Sequence, residues 1–398
     1  MRLLNQEIRV WPLLISILIL SSLVYPIKYG MHLYALSICI LTTITLLRGK
    51  INKHGLPFLL FTIWLLITSI IHFAVTYRCI ILLLILFAFT PIISSPKLEE
   101  LRAKIIEYII KLTPILTVPN LICYIIGYNV YLEIKEGEVS ELNFSGFFMH
   151  PMWLAATCGI SNIVIAYNYI KKDGGRTKQF KYILINSAIL LISLLLSVIS
   201  GSRSALTASI LAICLMYFLA GVSKKVIIYI GLLLICSFPL LVDNSTRIQS
   251  KQGIDEENAY GSRTSVWSNQ FTSIKESPII GAGHASMIGS DGKVISGRME
   301  TGSGWLSILS QTGIIGTLLI MLCFPPIKKT VIAAQKNDFV LLVLTVFAYL
   351  CLHSLFEGYI LTWGYYLCAL FWICIGYLYT IAKKSNTNEE LVGFQTTR

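Results

Sequence analysis

Long apolar stretches alternate with short polar connections along almost the whole of this 398-residue chain. The stretches are about 17 to 25 residues long, and an α-helix of that length crosses the roughly 30 Å hydrocarbon core of a bilayer. A transmembrane β-barrel would instead show segments of about ten residues with alternating apolar and polar positions, and this chain lacks them. The pattern therefore predicts an all-α, polytopic integral membrane protein with about 12 transmembrane helices.

The predicted helices leave two long connections, which fall on the same side of the membrane. The first contains YNVYLEIKEGEVSELNF, and the second runs from residue 244 to 302 between predicted helices 9 and 10. Within the second, the amphipathic stretch SVWSNQFTSI is typical of a helix that lies at the membrane interface. The predicted spans are residues 9–26, 30–47, 57–76, 79–95, 105–127, 146–170, 182–200, 204–220, 225–243, 303–325, 338–356 and 359–382.

This pattern divides the chain into four regions. Helices 1–9 occupy residues 1–243, the long outer loop residues 244–302, helices 10–12 residues 303–382, and a cytoplasmic tail residues 383–398. The composition of 55% hydrophobic and 13% charged residues, with a mean hydropathy of +0.73, excludes a soluble domain as the main body. The first apolar stretch resembles a signal peptide, but no small-residue cleavage site follows it, so we expect a retained helix.

The basic residues indicate how the helices are oriented. Of the 32 Lys and Arg residues, 21 lie in connections on one side, ten on the other, and Lys111 within the fifth helix. Cytoplasmic connections are enriched in Lys and Arg, so we expect the richer side, with both termini, to be cytoplasmic. The net charge of +12 then reflects topology. No basic and aromatic array accompanies it, so no nucleic-acid partner is expected.

The turn VISGSRSALT, residues 198–207, contains a single charge, Arg203, between two apolar stretches on the outer side. Free backbone N–H groups at a helix start, together with the helix dipole, favour an anion. The arginine fork also matches phosphate oxygens in a bidentate manner. Arg203, with Ser202 and Ser204 beside it, is therefore a candidate phosphate clamp. An interfacial arginine that orients the hairpin is the alternative, and the residues alone do not decide between the two.

Other polar residues on the outer side are candidates for the same site. Arg263 repeats the Gly-Ser-Arg arrangement inside the long loop, and Glu357 in HSLFEGY lies at an outer helix end, where a carboxylate suggests function. A solvated loop arginine and a water-exposed carboxylate are the simpler interpretations. His150, His284 and His353 are placed to act as a general base outside the membrane. No D-x-D pair or EF-hand spacing occurs, so neither a metal nor another cofactor is expected.

Five short motifs follow one another along about the last two thirds of the chain. They are SGFFMHPMWLAA, SGSRSAL, ESPIIGAG, TGSGWLSILSQTGIIGTLL and HSLFEGY followed by FW. In their order and placement they resemble the O-antigen ligase and O-antigen polymerase superfamily of bacterial envelope glycosyltransferases. The first five helices match that superfamily only in hydropathy.

The resemblance implies a reaction at the outer leaflet of the bacterial inner membrane, where glycans carried on undecaprenyl diphosphate are joined. The long outer loop is then periplasmic. Arg203 and Arg263 match the positions that the family uses to hold the donor diphosphate. The residues expected to bind substrate are Arg203, Ser202, Ser204, Arg263, Arg298 and His150.

The chain departs from the ligases of this family at one point. Ligases carry a His-Asn pair about a dozen residues before the G-x-x-G that is here Gly313 to Gly316, and Gly302 and Ser303 stand in that place. The missing histidine favours a polymerase over a ligase and leaves the general base unassigned. The candidates for that role are Glu300, His284, Asp291 and Glu357.

The sequence thus predicts an O-antigen polymerase, a metal-independent glycosyltransferase of lipopolysaccharide biosynthesis. An O-antigen ligase that transfers the finished glycan to lipid A core is the nearest alternative. A lipid-linked oligosaccharide flippase or other transporter is a second alternative, although such proteins tend to have repeated halves and midplane charges. The expected partners are undecaprenyl-diphosphate-linked oligosaccharides, the lipid bilayer and a chain-length regulator protein.

Overall fold

The chain folds mainly into α-helices. The computed structural model describes residues 2–25, 27–130, 144–170, 176–222, 261–289, 292–296 and 302–396. In these residues the all-α class predicted from hydropathy is confirmed, and the only strands are two short antiparallel pairs. The helices are α1 (Arg2–Leu20), α2 (Gly30–Arg48), α3 (Leu56–Ile71), α4 (Tyr77–Phe89), α5 (Pro96–Ile125), α6 (Pro151–Ile170), α7 (Arg176–Ile199), α8 (Arg203–Leu219), α9 (Gly261–Glu276), α10 (Gly304–Leu322), α11 (Ile327–Lys336), α12 (Asp338–His353) and α13 (Tyr366–Thr396). The strands are β1 (Lys50–Ile51) paired with β2 (Ile93–Ser94), and β3 (Met287–Ile288) paired with β4 (Val294–Ile295).

The helices have the lengths and composition of a multi-pass membrane protein. Six of those described are long and apolar enough to cross a bilayer: Gly30–Arg48, Lys53–Ile71, Pro96–Ile125, Tyr182–Ile199, Gly304–Leu322 and Tyr366–Lys384. Four shorter apolar helices are Val10–Leu23, Tyr77–Phe89, Arg203–Leu219 and Asp338–His353. The predicted span 225–243 lies outside the described residues. A total of about 12 spans therefore stays a prediction.

Several helix boundaries differ from the predicted ones for local reasons. α6 begins at Pro151 rather than near residue 146, because proline fits the first turn of a helix and disfavours a helical residue before it. α4 ends at Phe89 rather than near residue 95, since Thr90 before Pro91 is extended. The connection after α10 contains the short helix α11, and the backbone of α13 continues to Thr396 through most of the predicted tail.

Side-chain hydrogen bonds between α6 and α7 show that these helices run antiparallel. Ser161 Oγ lies 2.8 Å from Ser193 Oγ, and Asn168 Nδ2 donates to Asn186 Oδ1 at 3.0 Å. Residue numbers fall along α6 as they rise along α7, so the start of α6 lies level with the end of α7. The start of α8, one tight turn later, is therefore at the same level. Such bonds hold helices together in lipid.

The start of α8 belongs to one end of the bundle, which we call the outer end after the predicted topology. At this end Tyr366 Oη, at the start of α13, lies 3.0 Å from Thr157 Oγ1 of α6. The backbone N–H of Gly304, at the start of α10, donates to Ser354 O just after α12, at 2.8 Å. The starts of α6, α8, α10 and α13 and the end of α12 thus share the outer end, and the opposite end is the inner end.

α10 is broken near its middle, at Gly313. Gly313 has a φ of 64°, which disrupts the helix and favours glycine. A Cβ at this position would lie only 2.2 Å from the carbonyl oxygen of Ile279. The neighbouring segment, residues 277–286, is here called the inserted loop, and it follows α9 directly. The predicted outer loop therefore contains a segment that packs beside the middle of a membrane-length helix.

The inserted loop supplies the hydrogen bonds that the break in α10 leaves unmade. Ala282 N–H donates to Ser310 O at 2.8 Å, and Ile314 N–H donates to Pro278 O at 2.9 Å. Backbone at membrane depth can be irregular only where the protein itself satisfies its N–H and C=O groups. The break and the inserted loop therefore form one structural unit.

Candidate active site at the outer end

α8 begins at Arg203, as the sequence predicts, and the start of this helix is open. The Ser202 side chain does not cap the first turn, and its Oγ lies instead 3.3 Å from Ser204 Oγ. The Arg203 side chain is exposed, and among the described residues its guanidinium has no hydrogen bond or ion pair. The first N–H groups of α8 and the guanidinium are thus both available to an anion.

His150 lies at the same level, just before α6, and caps that helix. Its Nδ1 accepts a hydrogen bond from Met152 N–H at 3.1 Å. An accepting Nδ1 carries no proton, so a neutral ring has its proton on Nε2. α8 packs against both α6 and α12. The sequence does not indicate that His150 caps α6, and the role of His150 in substrate binding stays a prediction.

A stack of aromatic rings fills the space where the outer ends of α6, α12 and α13 meet. Trp153 stacks on Tyr365 with ring centroids 4.8 Å apart. His353 lies between Tyr349 and Tyr359, with centroid distances of 5.5 and 5.6 Å. His353 is fully buried in this stack, so its position fits packing better than proton transfer to a substrate.

Glu357 lies in the turn that follows α12 and is half-buried. Its backbone carbonyl accepts a hydrogen bond from Gly304 N–H at 3.1 Å, beside the bond from Gly304 to Ser354 O. The carboxylate interacts electrostatically with the phenol groups of Tyr359 and Tyr365. The structure thus joins two of the sequence motifs, HSLFEGY and TGSGWL, at the outer end.

The predicted amphipathic helix in the long loop is present as α9, and it packs against α10. Arg263 lies in its first turn, although the side chain is outside the described atoms. One turn later, Trp267 packs against Gly302, where a Cβ would lie 2.9 Å from the indole Nε1. Ser303 caps α10, because its Oγ accepts from Leu306 N–H at 3.5 Å. A packed glycine and a capping serine therefore occupy the positions where the resemblance places the His-Asn pair of ligases.

Gln270 is a polar residue of this region that the sequence analysis missed. Its side chain is 0% exposed, and its Nε2 donates to Ser307 Oγ at 2.9 Å and to Ser303 O at 3.4 Å. It lies three residues after Trp267, so both side chains are on one face of α9. That spacing is visible in the sequence, but only the structure shows that this face meets the start of α10.

His284 lies in the inserted loop and is 1% exposed. Its backbone N–H donates to Ser69 Oγ at 3.1 Å, and its Nε2 lies 2.9 Å from Leu361 O. A carbonyl can only accept, so Nε2 carries the proton. Burial lowers the pKa of His284 to about 4; the bond to Leu361 opposes this shift, and the charge of Arg78 adds to it. His284 is therefore neutral at pH 7 and ties the inserted loop to the end of α3 and to the segment before α13.

Three further predicted residues, Arg298, Glu300 and Asp291, lie outside the described part of the chain. Those that are described divide into two groups. Arg203 and His150 lie level with each other on α8 and α6. The start of α10, a helix against which α9 packs, contacts the turn that carries Glu357, directly after the helix on which α8 packs. The convergence of Arg203 and Arg263 on one substrate stays a prediction.

In the described part of the chain, neither a cluster of metal ligands nor either of two cavities marks this site. Within the described ranges, no group of three or more His, Cys, Asp or Glu side chains could hold a metal ion, and metal independence stays a prediction. Two cavities, of about 270 and 680 Å³, flank the first turns of α5 at the inner end. None of the predicted site residues lines either of them. The open start of α8, rather than an enclosed cavity, defines the candidate site.

Comparison with protein families identifies an O-antigen ligase domain over residues 188–321. This segment runs from the middle of α7 to the end of α10, and it contains Arg203, Arg263, the inserted loop and Gly302. No curated protein matches the chain. The match over residues 188–321 supports the resemblance of this chain to the O-antigen ligase and polymerase superfamily.

Proposed function

We propose that this protein is an O-antigen polymerase, a metal-independent membrane glycosyltransferase at the outer face of the bacterial inner membrane. It joins oligosaccharide repeat units carried on undecaprenyl diphosphate and releases undecaprenyl diphosphate. The observation that supports this most directly is the exposed Arg203 at the uncapped start of α8, inside the matched domain. Both termini are then cytoplasmic and residues 244–302 periplasmic, as the distribution of Lys and Arg predicts.

The proposed reaction forms one glycosidic bond and breaks one bond to phosphate. A sugar hydroxyl of the incoming repeat unit attacks the anomeric carbon of the growing chain, and the C–O bond to the diphosphate breaks. The hydroxyl proton passes to a base, and the electron pair leaves with the diphosphate. Negative charge therefore grows on the leaving group in the transition state. Fixed positive groups in a dry site lower such a barrier by several kcal/mol.

Arg203 and the first N–H groups of α8 are the groups proposed to meet that charge. The guanidinium offers a planar fork to the phosphate oxygens, and the helix start adds the positive end of its dipole. Arg263, in the first turn of α9, is proposed to bind the same diphosphate as Arg203. Ser202 and Ser204 add hydroxyl donors beside Arg203.

Glu357 is the better of the two described candidates for the general base. It is half-buried at the outer end, whereas His284 is 1% exposed and already donates its Nε2 proton to Leu361 O. A base must come within hydrogen-bond reach of the proton that it removes. We therefore assign the base role to Glu357 and a positioning role to His284.

The structure around Gly302 supports a polymerase rather than a ligase. The Trp267 indole packs on Gly302 so closely that a side chain there would have to displace it. A histidine at this position, as the resemblance expects for ligases, is thus absent from the sequence and would also clash with the observed packing.

Deletion of the gene in its host distinguishes the candidate activities. We expect lipopolysaccharide that consists of core plus one repeat unit, seen as a single band on a gel, with the ladder restored by the wild-type gene. Core without any repeat unit would indicate a ligase instead. An unchanged ladder would exclude both enzymes, and loss of repeat units from the outer leaflet with accumulation inside would indicate a transporter.

A further inference from the structure

Two buried polar atoms on one face of α9 have no hydrogen-bond partner among the residues that the structure describes. They are the indole Nε1 of Trp267 and the amide Oε1 of Gln270. A buried polar group that lacks a partner costs folding free energy, and in native proteins such groups are explained by strain, by a catalytic or binding role, or by a bound water or ion. The two residues are three positions apart on a helix, so their side chains are neighbours.

The orientation of the Gln270 amide follows from its partners. Its Nε2 contacts Ser303 O at 3.4 Å and Ser307 Oγ at 2.9 Å. Because Ser303 O can only accept, the NH₂ group must point towards it, and Oε1 points away. The start of α10 therefore fixes the orientation of the Gln270 amide, and Oε1 remains available as a hydrogen-bond acceptor.

The indole of Trp267 has the opposite hydrogen-bonding character. Its Nε1–H can only donate, and it lies against Gly302, where a Cβ would be 2.9 Å away. Gly302 occupies the position where the resemblance places the ligase histidine. Because glycine has no side chain, the indole lies directly against the backbone at this position. A donor and an acceptor thus lie three residues apart on the face of α9 that meets the start of α10.

We propose that Trp267 Nε1 and Gln270 Oε1 bind one hydroxyl group of a sugar in the lipid-linked repeat unit. A hydroxyl accepts from the indole N–H and donates to the amide oxygen, so it satisfies both atoms at once. This inference rests on the proposed glycosyltransferase function and names how the same site holds its glycan. Trp267 and Gln270 are positioning residues that form no bond with the reacting atoms.

The placement relative to Arg263 supports a glycan here. Arg263, Trp267 and Gln270 follow one another along α9 at spacings of four and three residues, which put them on one face. A diphosphate held at Arg263 would place the first sugars of the donor along this face, towards the start of α10. In this protein the polar groups near position 302 thus come from α9. In ligases, the resemblance places the corresponding polar groups, the His-Asn pair, at the positions of Gly302 and Ser303.

The cleanest test is Trp267→Phe, which keeps an aromatic ring and removes an N–H that has no partner in the described part of the chain. The assay uses full-length purified protein and undecaprenyl-diphosphate-linked repeat units extracted from the deletion strain. We expect the KM for these repeat units to rise roughly 2- to 10-fold, with kcat nearly unchanged, because one hydrogen bond to the bound glycan is lost. Gln270→Met should raise KM by a similar factor.

The matched control is Asn269→Met, which removes an amide from the exposed side of the same helix and should leave KM unchanged. A purely structural role predicts that Trp267→Phe has unchanged KM and an unchanged or higher melting temperature, and that result would overturn the proposal. A water molecule that alone occupies the pair predicts the same unchanged KM, and this result too would overturn the proposal. Failure of the glycosyltransferase function is separate, since wild-type protein would then form no polymer from these repeat units.

Discussion

Two arginines at opposite ends of the bundle show how differently the same side chain can be used. Arg102 of α5 is 5% exposed, and its guanidinium donates to Ala88 O at 2.9 Å and to Ile93 O at 3.0 Å. Arg203 of α8 is exposed, with no such bond among the described residues. Arg102 is buried and bonded to the protein's own carbonyl groups, which keeps it from binding a ligand. Arg203 keeps its donors free, and this difference separates a structural arginine from a candidate ligand-binding one.

Of the variants that test this difference between the two arginines, Arg102→Met should have the largest effect on stability. The variant leaves the carbonyls at the end of α4 and in β2 without their donor, so we expect a loss of stability of roughly 2 to 4 kcal/mol. Membrane abundance and the melting temperature in detergent measure this loss. Arg48→Met, at the exposed end of α2 on the same side, is the control and should behave as wild type. Normal abundance of the Arg102 variant would contradict this prediction, because Arg102 would then be as dispensable for folding as Arg48.

Arg203→Ala should have the opposite profile, with normal abundance and lost activity. A hydrogen bond to a charged group contributes about 1.5 to 3 kcal/mol, so polymer formation should fall roughly 10- to 100-fold. Arg203→Lys keeps the charge but not the fork, and we expect it to restore only part of the activity. Chain-length ladders in the deletion strain and initial rates with purified protein measure both variants. Full ladders from both would contradict the phosphate clamp.

Much of the fold follows from the sequence, because apolar runs and proline positions determine where helices can form. The predicted span 204–220 begins one residue after the observed start of α8 at Arg203. The role of Arg102 was not predicted, since sequence analysis counts it only as one of the basic residues on the cytoplasmic side. Its partners are backbone carbonyls, which every residue has, so no residue type indicates them in advance.

The inserted loop shows the same limit of prediction from sequence within the candidate site. Gly281 and Gly313 both have positive φ and lie in contact, yet they are 32 positions apart in the sequence. Each glycine alone is compatible with an ordinary turn or a flexible helix. Trp267 and Gln270 were likewise visible as residues of an amphipathic helix, but their unpaired atoms depend on which surface that helix covers.

The smallest predicted effect concerns the serines that precede the two arginine-bearing helices. Ser95 Oγ accepts from Leu98 N–H at 3.4 Å and caps α5, whereas Ser202 does not cap α8. Ser95→Ala should therefore cost about 1 kcal/mol of stability, and Ser202→Ala only a few tenths. Thermal unfolding of both variants in one detergent tests this difference. If Ser202→Ala were as destabilising as Ser95→Ala, the start of α8 would be closed by its own serine, and its N–H groups would not be free for a phosphate. If instead Ser202→Ala is stable but less active, the uncapped helix start and Arg203 act on the substrate together.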